Sequence, residues 1–188
     1  MDGLDGVVQS AGSDHDTTGG FRHGAWHLPY FDDVSQKWVL QGYTDAGGFL
    51  FGRRTYELLV GYWRNASEDE QPVAGPLNSR PKYVASTTLV EPLEWEHARL
   101  LQGDAAEAVA ALKKEEGDDL HLIGSTVLAR TLIEHDLVDG YRLMIDPIVL
   151  GGGKRIFGDD GALRTLRLVE SEVTTTGAIL ATYARAVD

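Results

Sequence analysis

The sequence predicts one α/β domain with a mixed, mostly parallel sheet, helices on both faces and an antiparallel hairpin at the C-terminal end. Three observations carry this expectation. Short apolar runs closed by glycine alternate with stretches of helical period through the first two thirds of the chain. The last third changes to residue-by-residue alternation, the mark of antiparallel strands. No repeat or low-complexity linker divides the chain, and its 188 residues suit one domain better than two.

The elements follow in order. Residues 29–43 have helical spacing, with Phe31, Val34, Trp38 and Val39 on one face. Gly47 and Gly48 break the chain before Phe49-Leu50-Phe51, an apolar run closed by Gly52 that reads as a buried strand. Residues 53–61 return to helical spacing through Tyr56, Leu59 and Val60, and 72–78 form a short helix ended by Pro81. Residues 82–86 make a second strand and 98–101 a third. Asp104 caps a helix that runs to residue 116 along Ala106, Val109, Ala110 and Lys113. Residues 120–123 are another buried strand. A helix over 125–135 turns Val127, Leu128, Leu132 and Ile133 inward, and a strand over 141–145 ends at Asp146-Pro147. Residues 166–175 and 178–183, joined at Thr176-Gly177, form the hairpin.

Composition narrows the function. Hydrophobic residues make up 43% and charged residues 24%, which excludes a disordered chain. Seventeen basic against 29 acidic residues give a formal charge of −12, a surface that repels nucleic acid. The absence of cysteine excludes disulfides, thiolate metal sites and a cysteine nucleophile. No apolar run approaches the ~20 residues of a membrane helix. The first ten residues lack the basic region and apolar core of a signal peptide, so the expectation is a cytoplasmic protein without a membrane partner. His15, His23 and His27 lie near Asp14 and Asp16, but at no zinc-ligand spacing, so a polar loop is the reading and no metal is expected. Acidic clusters at 68–70, 115–119 and 159–160 read as solvated loops or helix ends. Familiar signatures fail. Gly153-Lys154 is followed by Arg155, which breaks a Walker loop, and no G-x-G-x-x-G opens a helix. Gly124-Ser125-Thr126-Val127 lacks the second glycine of a nucleophile elbow.

Three strand ends carry chemistry. At Gly52-Arg53-Arg54-Thr55 a strand enters a helix whose free N–H groups favour an anion, and two arginines and a hydroxyl add donors there. Two cations at a helix N-terminus oppose the helix dipole, so an anionic partner is expected. The alternative is pairing of Arg53 and Arg54 with acidic residues of the chain itself. Ser86 and Thr87 follow a second strand, where hydroxyls bind phosphate or cap the next turn. Gly124, Ser125, Thr126 and Val127 form a third junction, where small residues let a pyrophosphate approach the backbone or simply cap the helix. Ligands of open α/β sheets gather beyond the C-terminal strand ends, so the coincidence points to a nucleotide with more than one phosphate. The aromatic stretch 21–31, with Trp26, Tyr30 and Phe31, either lines a pocket for a flat ligand or packs over the core.

The ordered set Leu4-Asp5-Gly6-Val7, Pro29-Tyr30-Phe31-Asp32, Gly52-Arg53-Arg54-Thr55-Tyr56-Glu57, Lys82-Tyr83-Val84-Ala85-Ser86, Ile123-Gly124-Ser125 and 147–157 resembles the dihydrofolate reductase-like family. Within it, the chain is most similar to the bacterial branch related to the reductase domain of riboflavin biosynthesis. The resemblance covers nearly the whole chain. It implies a three-layer sheet-and-helix fold, NADPH as cofactor and a homodimer. It further implies that Arg53, Arg54 and Thr55 grip the 2′-phosphate and pyrophosphate. Ser86 and Thr87 would then lie beside the adenosine part, and Gly124, Ser125, Thr126 and Val127 under the pyrophosphate. Two departures stand out. Met1-Asp2-Gly3 occupies the place of the family's apolar first strand and serine, and Ile123 replaces the acidic residue of the riboflavin-pathway enzymes.

The resulting expectation is an NADPH-dependent reductase acting on a flat, pterin- or aminopyrimidine-like heterocycle. Asp5 and Asp33 are the carboxylate candidates for proton donation, with Asp32 third, and partial burial would raise the donor's pKa. Trp26, Tyr30 and Phe31 would shape the ring pocket. The alternative is a non-catalytic nucleotide-binding or interaction protein on the same scaffold.

Overall fold

The computed structural model describes residues 1–13, 16–69 and 71–186; Asp14, His15 and Glu70 of the loop readings above lie outside the described residues. In chain order the elements are β1 (Asp2–Gly3), α1 (Asp33–Asp45), β2 (Gly48–Gly52), α2 (Arg53–Trp63), α3 (Ala74–Ser79), β3 (Lys82–Ala85), β4 (Ala98–Leu101), α4 (Ala105–Leu112), β5 (Leu120–Leu122), α5 (Thr126–Glu134), β6 (Gly140–Asp146), β7 (Leu166–Val173) and β8 (Ile179–Arg185). No helix among the described residues is long and apolar enough to cross a membrane.

The strands form two four-stranded sheets rather than the single sheet the sequence suggests, with orders β1-β6-β8-β7 and β4-β3-β2-β5. The chain correspondingly falls into two compact units. Unit 1 comprises Met1–Trp38 and Val138–Asp188, and unit 2 comprises Val39–Leu137.

Unit 2 is the alternating strand–helix part. All its strand pairings are parallel, with Gly52 in register with Ala85, so β2 and β3 end side by side. Its core is aromatic. Phe49 and Phe51 are fully buried, and Phe51 stacks on Trp95 with ring centroids 6.1 Å apart. Tyr56 and Val60, one turn apart on α2, bury into the same cluster with Leu77 and Val84. Gly47 has a steric reason: a Cβ there would lie 2.5 Å from the Asp118 Cβ. Asp104 caps α4 as its sequence position suggests, accepting the Glu107 N–H at 2.9 Å.

Unit 1 is antiparallel apart from β1. Strand β8 pairs with both β6 and β7, and β1 runs parallel to the end of β6, with Gly3 opposite Asp146. A second core joins Val7, Ala11, Phe21 and Trp26. Helix α1 begins at Asp33 and not at residue 29. The Asp32 carboxylate accepts the Ser35 N–H and hydroxyl, which sets the helix start, and Leu28–Tyr30 form a separate 3-10 turn. Phe31 therefore lies outside the helix, 37% exposed.

Candidate functional site

Two of the three expected junctions are physically joined in unit 2. The Gly52 N–H donates to the Ser125 hydroxyl at 2.8 Å, and the Ser125 N–H donates to the Thr55 hydroxyl at 3.1 Å. The Ser125 and Thr55 hydroxyl oxygens are 2.9 Å apart. Ser125 thus stands at the N-cap position of α5 without capping it: its backbone is left-handed (φ 57°) and its side chain reaches across to α2. This differs from the simple capping alternative, because the tertiary contact outcompetes the local one. Neither α2 nor α5 has a side-chain cap, so two neighbouring helix starts present unsatisfied backbone donors beside adjacent strand ends. Gly124 is needed there. Its φ is +58°, and a Cβ on it would lie 3.2 Å from the Thr55 Cγ2.

The charges divide. Arg53 is occupied by its own helix, with Nη1 donating to both Glu57 carboxylate oxygens at 3.1 and 3.0 Å. Both partners are substantially exposed, so this pair is weak and readily exchanged. Arg54 is exposed and makes no hydrogen bond or ion pair with the described residues. The junction at Ser86 and Thr87 is self-contained. The Ser86 hydroxyl accepts the Thr88 and Leu89 N–H groups at 3.1 and 3.0 Å, the capping alternative, while Thr87 is exposed beside it. Thr126 and Val127 open α5, and Val127 is exposed rather than turned inward as its spacing suggests, because the buried face starts at Leu128. Uncapped amides, an unpartnered guanidinium and a glycine that keeps the backbone accessible suit the phosphates of a nucleotide.

The carboxylate candidates lie in unit 1. Asp5 accepts the Gly151 N–H at 2.8 Å, and Arg155 stands 3.9 Å away. Burial pushes its carboxyl up, but the Gly151 and Leu150 amides and Arg155 outweigh this and hold it below the ordinary value. The raised pKa expected of a proton donor is therefore not found at Asp5. Asp32 is held low by the Thr175 hydroxyl and the Ser35 amide, and its bonds to Thr175 tie α1 to the hairpin turn. Asp33 is exposed at the first turn of α1. Trp26 packs into the unit 1 core with its indole N–H on the Gln9 carbonyl at 2.8 Å, which is the packing alternative. Tyr30 is half-buried, and its carbonyl accepts the Thr176 hydroxyl. Phe31 sets its ring edge-on to His27 at 5.4 Å.

The sequence places that His27 in a polar loop, and the structure corrects this. It is fully buried, and its Nδ1 lies 2.7 Å from the Asp146 Oδ2. The available signal was an acid closing an apolar strand at Asp146, a costly place for an unpaired charge.

The RibD C-terminal domain model matches residues 3–180. The chain belongs to this family. This RibD C-terminal domain is 33% identical over 148 residues to YyaP of Bacillus subtilis (strain 168), a protein described as uncharacterized; the match covers 76% of this chain and 78% of YyaP. Its fold is similar to that of a pyrimidine reductase-like protein from Corynebacterium diphtheriae, with a TM-score of 0.68, 14% identity, and 100% and 90% of the two chains covered. It is also similar to dihydrofolate reductase from Enterococcus faecalis complexed with NADP(H), with a TM-score of 0.59, 16% identity, and 99% and 93% covered. The dihydrofolate reductase-like fold expected from the sequence is thereby established.

Proposed function

We propose that this RibD C-terminal domain is an NADPH-dependent reductase of a flat, pterin- or aminopyrimidine-like heterocycle. One observation carries the reading. Two uncapped helix starts in unit 2 are locked together by the Thr55–Ser125 contacts, with Arg54, unpartnered among the described residues, on the first turn of α2. Helix-start amides of α2 and α5 would take the pyrophosphate, and Arg54 the 2′-phosphate, with Arg53 released from Glu57 to join it. Ser86 and Thr87 would border the adenosine part. When bound, the nicotinamide supplies hydride, and the protein supplies orientation and a polar environment. The Enterococcus faecalis protein, named as a reductase and complexed with NADP(H), supports the assignment.

The test is nicotinamide fluorescence titration followed by NADPH consumption with a panel of pterins, folates and ribityl-aminopyrimidines. Binding with turnover of one panel member is the expected result. A second reading, a nucleotide-binding protein without catalysis, is favoured by the low-lying Asp5 carboxyl and the exposure of Asp33. Tight binding with no turnover of any panel member would select it.

A further inference from the structure

We propose that the open face of strands β6, β8 and β7 in unit 1 docks the same face of a second copy of this chain. Register partners on paired strands point to one side of a sheet. Ile145, Ile179 and Val173 therefore form one row across the three strands, and Tyr141, Tyr183 and Leu168 form another. Between these rows lies a smaller one of Leu143, Ala181 and Ser171. No residue of the three rows carries a charge. The opposite side is the packed one, where Met144, Leu180 and Asp146 are 1%, 1% and 0% exposed. An antiparallel sheet with one packed face ordinarily turns polar residues to water on the other. Here that other face is apolar, and Val173, Leu168 and Ile179 on it are 67%, 49% and 40% exposed. Phe157, itself 43% exposed, sets its ring 5.5 Å from that of Tyr141 and extends the apolar surface.

The charges of β7 lie elsewhere. Arg167, Glu170 and Glu172 are in register with Ala184, Thr182 and Leu180, which puts all three on the packed side. Strand β7 is the sheet edge, and its register shifts between Leu168 and Glu170. A bulge and charged side chains guard an edge against strand addition, so this sheet meets a partner by its face and not by its edge.

A second copy suits the face for three reasons. The chain carries a charge of −12, so two copies repel unless they meet where no acid stands, and these rows hold none. An uncharged face is complementary to itself under a twofold axis. With that axis along the middle row, the Ile145 row of one copy seats on the Tyr141 row of the other. The ends then match in charge. Arg185, exposed in the row beyond Tyr183, turns toward the other copy's hairpin turn, where the Thr175 hydroxyl donates to the Asp32 carboxylate at 2.6 Å. The size also fits. Ordinary strand spacing and rise give the three rows a footprint on the order of 400 Å², about half of the ~800 Å² each partner brings to a standard interface. That is the apolar centre of such an interface, with a polar rim supplying the rest.

Sedimentation of the full chain over a hundredfold range of concentration tests the proposal. The expected result is a dimer. Leu168→Asp and Val173→Asp should each weaken it by roughly 100-fold with unchanged circular dichroism, because each puts an unpaired carboxylate into the contact. Val90→Asp, at a valine of unit 2 that is 78% exposed, should leave the dimer intact. A monomer at every concentration, a dimer indifferent to both sheet variants, or equal dissociation by Val90→Asp overturns the proposal. The cysteine-free sequence allows a second measurement, a single spin label at Ser171→Cys. Sheets packed face to face lie about 10 Å apart, so labels on two copies should fall within roughly 25 Å of each other. A longer separation in a dimeric sample places the contact elsewhere and overturns the proposal.

Discussion

The two units of this chain handle polar groups in opposite ways. Unit 2 packs an aromatic core and sends its unsatisfied donors outward, to the exposed ends of its parallel strands. Unit 1 draws carboxylates and an imidazole inward and leaves several of their atoms unpartnered. The difference follows from strand direction. Parallel strands, all ending at one edge and each followed by a helix, gather helix N-termini there, and that is where anions bind. An antiparallel sheet gathers no such termini, so its chemistry depends on individual side chains.

The contrast can be broken first in the core. Phe51→Ala should destabilise the protein by about 3–5 kcal/mol, because it removes a fully buried ring stacked on Trp95. Urea unfolding checks this, and a loss below about 1 kcal/mol would deny unit 2 its aromatic core. The arginines come next. Arg54→Ala should weaken NADPH by about 1.5–3 kcal/mol and NADH far less, as expected for one lost charged hydrogen bond. Arg53→Ala should cost less, since Arg53 must first leave Glu57. The reverse order in fluorescence titrations would move the 2′-phosphate to Arg53.

The pH dependence of stability separates the units further. Lys82 in unit 2 is buried, and burial lowers its pKa to about 8 although it donates to the Leu77, Asn78 and Arg80 carbonyls. Between about pH 8 and the ordinary lysine value, the unfolded chain holds more protons than the folded one. Stability should therefore rise with pH across that window, by up to about 3 kcal/mol, and Lys82→Met should abolish the rise. Asp2 in unit 1 acts with the opposite sign. Its carboxyl is raised by burial, so its contribution is fully present below the ordinary aspartate value and is lost as pH climbs through the folded one. Asp2→Asn should flatten that acid-side decline in denaturation curves. The smallest effect is local: Asp104→Ala should remove about 1 kcal/mol by uncapping α4.

Much of this was legible in the chain itself. Glycine-closed apolar runs located the parallel strands, Asp104 marked its helix start, and Thr176-Gly177 marked the hairpin, because these signals depend on neighbours in sequence. The phosphate-binding candidates were legible for the same reason, since a strand–glycine–hydroxyl junction is a local pattern. What Ser125 does was not legible. Its hydroxyl serves Gly52 and Thr55, 73 and 70 residues away, and only the fold brings them together.

Local order, strand type and the positions of the junctions were thus determined by the sequence alone, through periodicity and backbone preference. The division into two sheets, the locking of α2 to α5 and the burial of His27 against Asp146, 119 residues apart, were decided by tertiary structure. Distant pairing depends on which faces are buried together, and no short-range pattern of residues encodes that.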